Sequence, residues 1–169
     1  MADTFEGYDF PIIRYAEVLL NYAEAMYELG TTGKALDDAL NISLNLVRLR
    51  VNPDMPKLTT SFASENSLNM REEIRRERTI ELYNEGFRVD DLKRWNTAIV
   101  EMPKPILGVK WTGTDFATSW AGASNMAKDS DGCLILENSR RWGSKNDLYP
   151  LPVDQCQLNP NLGQNPGWQ

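Results

Sequence analysis

Apolar residues recur at helical spacing along the first half of the chain, and in two places they cover more than one face. Between Pro11 and Gly30, Tyr15, Val18, Leu19, Tyr22, Met26 and Leu29 form one stripe, and Ala16, Leu20, Ala23 and Tyr27 form a second. Arg14, Glu17, Asn21, Glu24 and Glu28 fill the remainder. Proline suits a first helical turn and glycine a C-terminal cap, so the segment predicts a helix over residues 11–29. A helix apolar on two stripes is packed between neighbours.

After the Gly30-Thr31-Thr32-Gly33 break, Leu36, Leu40, Leu44 and Val47 recur, with Ala35, Ala39, Ile42 and Leu46 beside them. The pattern predicts a second sandwiched helix. Two such helices joined by a turn of small residues resemble one tetratricopeptide-type repeat. A single repeat of that kind cannot bury both of its faces. A Pro53- and Pro56-containing loop, Val51 to Ser64, then leads to a third helix, Ser67 to Glu85, stopped by Gly86, and to a shorter one over Val89 to Ala98.

From Met102 onward the pattern dissolves. Pro103, Pro105, Pro150, Pro152, Pro160 and Pro166, among many Gly, Asn and Ser, predict an irregular coat with strand-like pieces at Cys133 to Leu136 and Leu148 to Val153. The expected organisation is a single domain over residues 1–169, helical to about residue 100 and loop-rich over 101–169.

Charge and composition narrow the function. The 169 residues carry a net charge of −6 with no long basic run, which disfavours nucleic acid and anionic lipid as partners. There is no histidine, so the usual general base, the usual zinc ligand and every Ser-His or Cys-His nucleophile are excluded together. The two cysteines, Cys133 and Cys156, could pair in an exported protein or stand as free thiols. No apolar run reaches the roughly 20 residues that span a bilayer, and Met1-Ala2-Asp3-Thr4 has neither a basic nor an apolar leader region.

Glu73, Glu77, Glu81 and Glu85 lie at four-residue spacing, a carboxylate stripe that needs compensation. Arg75, Arg76 and Arg78 are interleaved, and Arg88 and Arg94 follow. With Ile74 and Leu82 on the same side, Glu77, Arg78, Glu81, Glu85 and Arg88 are expected to form a semi-buried structural ion-pair network. The competing reading is an acid/base pair as in glycoside hydrolysis. Carboxylates crowded by arginines on one helix stay ionised and paired, which argues against it.

Three ordered segments carry a family resemblance. Arg14-Tyr15-Ala16-Glu17-Val18-Leu19-Leu20-Asn21-Tyr22-Ala23-Glu24-Ala25 resembles the helix that opens the C-terminal region of the SusD/RagB family. Glu77-Arg78-Thr79-Ile80-Glu81-Leu82-Tyr83-Asn84-Glu85-Gly86-Phe87-Arg88, then Asp91-Leu92-Lys93-Arg94-Trp95, resembles its Arg/Glu helix and the element after it. Leu148-Tyr149-Pro150-Leu151-Pro152 and Leu158 to Trp168 resemble its closing segment. The resemblance implies an all-α fold: a fragment of a tetratricopeptide-like α-α superhelix with a loop-rich C-terminal coat.

It further implies a non-catalytic component of a Bacteroidetes-type outer-membrane uptake system. Such a protein takes a polysaccharide or oligosaccharide at the cell surface and hands it to a SusC-like TonB-dependent transporter. No cofactor is implied, and membrane attachment would come only through a lipid anchor on an N-terminal part upstream of this chain. Family members are several times longer, and much of their glycan contact surface is built before the region matched here. The alternative is a free-standing helical adaptor for a protein or peptide.

Aromatic faces stack on the apolar C–H faces of sugars while neighbouring polar groups satisfy the hydroxyls. Trp95, Trp142 and Trp168 fall in or beside the matched segments and are expected to pack. Trp111 and Trp120, with Asp115, Phe116 and Asn125, lie in the unmatched loop Lys110 to Lys128. The expected ligand contacts are therefore Trp111, Trp120, Asp115 and Asn125, against the plainer reading of a loop tucked down by its aromatics. Asp129-Ser130-Asp131-Gly132 looks like part of a calcium loop but lacks the third acidic position and the distal glutamate, so no metal site is assigned and a turn is expected.

Overall fold

A computed structural model describes residues 12–169. The predicted roles of Pro11 and of Met1 to Thr4 lie outside the described residues. The first helix, α1, runs Tyr15–Glu28 with Arg14 in extended conformation as its cap. Of its two apolar stripes, the one with Leu20 and Ala23 is buried, and Ala16, Leu19 and Tyr27 are packed against the same core. Tyr15, Val18, Tyr22 and Leu29 on the other stripe are exposed. One layer of an α-α stack buries one face and leaves the other for a further layer.

The predicted second helix is two helices, α2 (Gly33–Asn41) and α3 (Leu44–Val51). The break falls at Ser43, which is fully buried and whose Oγ donates to the Ala39 carbonyl at 2.6 Å. A serine that bonds back one turn competes with the helical ladder, and the kink turns Ile42 and Leu46 out to solvent. Beyond α3 the buried Asn45 pins the loop: its Nδ2 donates to Leu58 O at 2.9 Å and its Oδ1 accepts from Leu58 N at 2.7 Å.

That loop contains a short helix the spacing did not predict, α4 (Thr60–Glu65), capped by Thr59 Oγ1 accepting from Phe62 N at 3.1 Å. Next comes α5 (Met70–Glu81), capped by Asn69 and shorter at both ends than the predicted Ser67–Glu85. Asn84 takes positive φ, a conformation asparagine tolerates better than most residues, before Gly86 is reached. Glu85 therefore lies past the helix. Leu20, Ala23, Leu36, Leu40, Leu44, Val47, Leu58, Ala63, Ile74 and Leu82 make one core.

The chain divides into two compact units, Met1–Arg88 and Val89–Gln169. The second begins within α6 (Arg88–Arg94), followed by α7 (Ala98–Glu101), so the predicted Val89–Ala98 helix is split around Asn96 at positive φ. An antiparallel ribbon of β1 (Ile106–Lys110) and β2 (Cys133–Glu137) comes next, with irregular register between Ile106↔Glu137, Leu107↔Ile135 and Lys110↔Cys133. β2 was predicted and β1 was not. The one-turn helix α8 (Phe116–Ser119) lies between the strands.

The predicted strand at Leu148–Val153 is absent: that segment leads into α9 (Val153–Leu158), because Pro150 and Pro152 remove the donors a ladder needs. Cys133 and Cys156 are both free thiols. Among the described residues no helix is long and apolar enough to cross a membrane.

Candidate functional site

The ribbon carries Trp111 immediately after β1, where its N–H donates to Gly132 O at 2.8 Å. The indole is only 5% exposed and packs with Ala123, Leu134 and Met126 in a second small core. Trp120, just after α8, is 55% exposed. Its ring meets Trp111 edge-on, with centroids 5.8 Å apart and planes at 64°, a favoured aromatic geometry. The buried indole thus orients the exposed one. A Cβ at Gly122 would come within 3.3 Å of Trp120 Nε1, so glycine leaves the indole its place.

Of the four predicted contact residues, the structure brings Trp111 and Trp120 together, and Trp120 is the ring left available. Asp115 and Asn125 are exposed. The Asp115 carbonyl accepts from Ser119 N and Ser119 Oγ at 2.9 and 2.7 Å, which shapes α8. Among the described residues no side-chain hydrogen bond occupies the Asp115 carboxylate or the Asn125 amide. Lys128 Nζ donates to Ser124 O and Met126 O at 2.9 and 2.8 Å and lies 6.0 Å from the Trp111 centroid.

Asp129 closes the neighbouring turn: its Oδ1 accepts from Asp131 N at 3.0 Å and Cys133 N at 2.8 Å, with Gly132 at φ +80°. A carboxylate used this way is a turn device. Among the described residues no group of three or more possible ligands is placed to hold a metal.

The remaining tryptophans are held by their own polar edges or by cations. Trp142 Nε1 donates to Asp147 Oδ1 at 2.9 Å, and Trp168 Nε1 to Lys145 O and Leu148 O at 2.8 and 3.0 Å. The Arg94 guanidinium lies 4.9 Å from the Trp95 centroid. Lys93 and Tyr149 meet beside Trp142, which reasoning from the sequence missed. Nothing in the linear sequence links a helical lysine to a distant tyrosine in a proline-rich segment.

In the helical unit the carboxylates on and just after α5 are clamped by the arginine that caps α1 and by arginines of α3. Arg14 donates to Glu81 Oε1 at 2.9 Å, to the Glu81 carbonyl at 2.9 Å, and to both Glu85 oxygens at 2.9 and 2.6 Å. Arg50 reaches both Glu81 oxygens at 3.0 and 2.9 Å. Arg48 Nε lies 3.1 Å from Glu77 Oε1, and both residues are buried. Arg78 donates to Asn21 Oδ1 at 2.7 Å, and Arg88 to Thr79 Oγ1 at 2.7 Å. Of the interleaved arginines expected to cross-link the stripe, Arg76 reaches Glu73 at 3.3 Å, while Arg14, Arg48 and Arg50 from outside the helix hold Glu77, Glu81 and Glu85.

Burial pushes the Glu77 carboxyl above the usual range, more than Arg48 pulls it down. Beside the lattice, Tyr15, Ala16, Leu19, Leu46 and Val47 line an apolar cleft of about 360 Å³ with Arg14 and Arg50 at its rim.

A sequence model of the SusD family matches residues 2–168. The chain belongs to the SusD family. Among solved structures this SusD-family chain is similar to a SusD-like carbohydrate-binding protein from Bacteroides fragilis. The two are 31% identical over 90% of this chain and 28% of that one, with a TM-score of 0.67. A SusD-like protein from the same species is 29% identical over 92% of this chain and 25% of its own, with a TM-score of 0.62. The chain spans about a quarter of the length of these relatives. No curated protein matches it. The mainly helical fold, with one two-stranded ribbon among the described residues, agrees with the tetratricopeptide-like, all-α fold of the SusD family over the part of those structures that it matches.

Proposed function

We propose that this SusD-family chain is a glycan-binding, non-catalytic part of a surface nutrient-uptake protein, with Trp120 as its principal stacking surface. The observation that carries the reading is Trp120 itself, an indole half open to solvent and oriented by a buried one, in a chain similar to a carbohydrate-binding SusD-like protein. A fixed aromatic face loses little conformational freedom on meeting a sugar. Asp115 and Asn125 stand in the same loop as hydroxyl partners.

Catalysis is disfavoured by chemistry: Glu77 and Glu81 are occupied by arginines, and no histidine is present. On this reading the polypeptide acts at the cell outer membrane, held by a lipid anchor, and passes its ligand to a SusC-like TonB-dependent transporter. Native electrophoresis through gels containing neutral polysaccharides tests it. Retardation by at least one polysaccharide is the expected result, and unchanged migration across a broad panel would overturn it.

A second reading, a helical adaptor, is favoured by the apolar cleft between α1 and α3. It expects no retardation in any polysaccharide gel, and loss of partner binding in Leu46→Glu.

A further inference from the structure

We propose that the chain carries a second saccharide subsite, built from Lys93, Trp142 and Tyr149, that takes sugars bearing a carboxylate. The inference rests on the glycan-binding reading but uses residues apart from Trp120. Lys93 Nζ lies 4.1 Å from the Tyr149 ring centroid and 5.7 Å from that of Trp142. Among the described residues no carboxylate comes within ion-pair distance of it. Lys128 and Lys145 also lie over single indoles, whereas Lys93 is set between two rings, Tyr149 and Trp142. The arginines that clamp Glu77, Glu81 and Glu85 all have carboxylates.

The Trp142 ring and the Tyr149 backbone are each tethered. Trp142 is held through Asp147. The Tyr149 carbonyl accepts from Asn165 Nδ2 at 2.6 Å, and Leu151 exchanges two hydrogen bonds with the Gln164 amide at 2.7 and 2.8 Å. The Tyr149 ring is nevertheless 73% exposed.

Lys93 and Trp142 are half-buried and Tyr149 is exposed; a cation–π contact open on one side is a weak hold, and lysine's flexible stem lets the ammonium turn toward an incoming anion. A hexuronate complements this arrangement. Its apolar C–H face lies on the phenol or indole, and its carboxylate gives the ammonium the charge-assisted partner it lacks. A neutral sugar supplies only the first of these.

Calorimetric titration of the whole chain with tetragalacturonate, and separately with neutral cellotetraose, tests the subsite. Tetragalacturonate is expected to bind with an affinity that falls as salt rises. Lys93→Met, which keeps the stem and removes the charge, is expected to weaken it by about tenfold or more, since a charge-assisted contact is lost. Tyr149→Phe should bind as the parent does and Tyr149→Ala should not, with unchanged circular dichroism in all variants.

Unaltered uronate binding in Lys93→Met, or equal affinity for the two tetramers, overturns the proposal. Binding of a neutral glycan through Trp120 with none of tetragalacturonate removes the subsite and leaves the broader reading standing. Binding of no saccharide removes both.

Discussion

The helical unit and the loop-rich unit differ in emphasis: both hold ion pairs and cation–ring contacts, but the first is organised around buried ion pairs and the second around tryptophans. In the first, the capping arginine of α1 and arginines of α3 close on the glutamates of α5, and the buried surface is aliphatic: Leu20, Leu40, Leu44, Leu58 and Ile74 are essentially inaccessible. In the second, the small core is organised around one tryptophan, another tryptophan stands out from it, and lysines rest on aromatic rings. Paired charges on packed helices rigidify a scaffold. Oriented, unblocked rings and unpaired cations are what a ligand can meet. The recognition chemistry proposed above falls in the unit with less regular structure, and binding residues are common on loops.

The largest effect expected from testing this contrast is at the buried pair. Removing the cation alone, in Arg48→Met, strands the Glu77 carboxylate and should cost about 3–5 kcal/mol in urea unfolding. Arg48→Met/Glu77→Met should recover most of that loss, because burial already outweighs the attraction of Arg48 for this carboxyl. The sign of the pH dependence follows. With its folded-state value raised, Glu77 contributes stability that is fully present below the ordinary carboxyl range and is lost as pH climbs through the raised value. The deficit of Arg48→Met against the parent should thus be greatest near neutral pH and shrink as the solution is acidified.

Next in size is Trp111→Ala, which empties the second core and should cost about 3 kcal/mol, read as lost hydrogen-exchange protection in β1 and β2. Asn69→Ala removes the α5 cap, Glu72 N to Asn69 Oδ1 at 3.3 Å, and is expected to cost about 1 kcal/mol by thermal melting. At the small end, Lys34→Ala deletes an exposed pair with Asp38, 2.7 Å apart, and should change stability by less than about 0.5 kcal/mol. A large loss there would blur the distinction between buried lattice and solvated surface.

Much of this contrast was legible in the sequence. Two apolar stripes on α1 announced a helix meant to be packed on both sides, but periodicity gives no order of burial: the stripe with Leu20 and Ala23 faces the core, and of the other Leu19 packs against it while Tyr15, Val18, Tyr22 and Leu29 are exposed. The run from Leu36 to Val47 kept helical spacing across a break, because the cause is a single buried Ser43 bonding backward. The carboxylate stripe and its local Arg76–Glu73 pair were visible, whereas Arg14, Arg48 and Arg50, the partners of Glu77, Glu81 and Glu85, come from elsewhere in the chain and only the fold delivers them. In the loop-rich unit composition marked the aromatic segment. It did not distinguish the supporting Trp111 from the presented Trp120, since both occur in the same polar, glycine-containing stretch.

That Trp120 carries recognition while the helical unit carries stability is tested most directly by calorimetric titration with a neutral polysaccharide that retards the chain. The parent and Trp120→Ala are compared, and the sugar is analysed for cleavage afterwards. Trp120→Ala is expected to unfold within about 0.5 kcal/mol of the parent, as a surface substitution does, to lose binding heat, and to leave the sugar intact as the parent does. Undiminished binding in Trp120→Ala, or shortened sugar after incubation with the parent, would contradict the assignment.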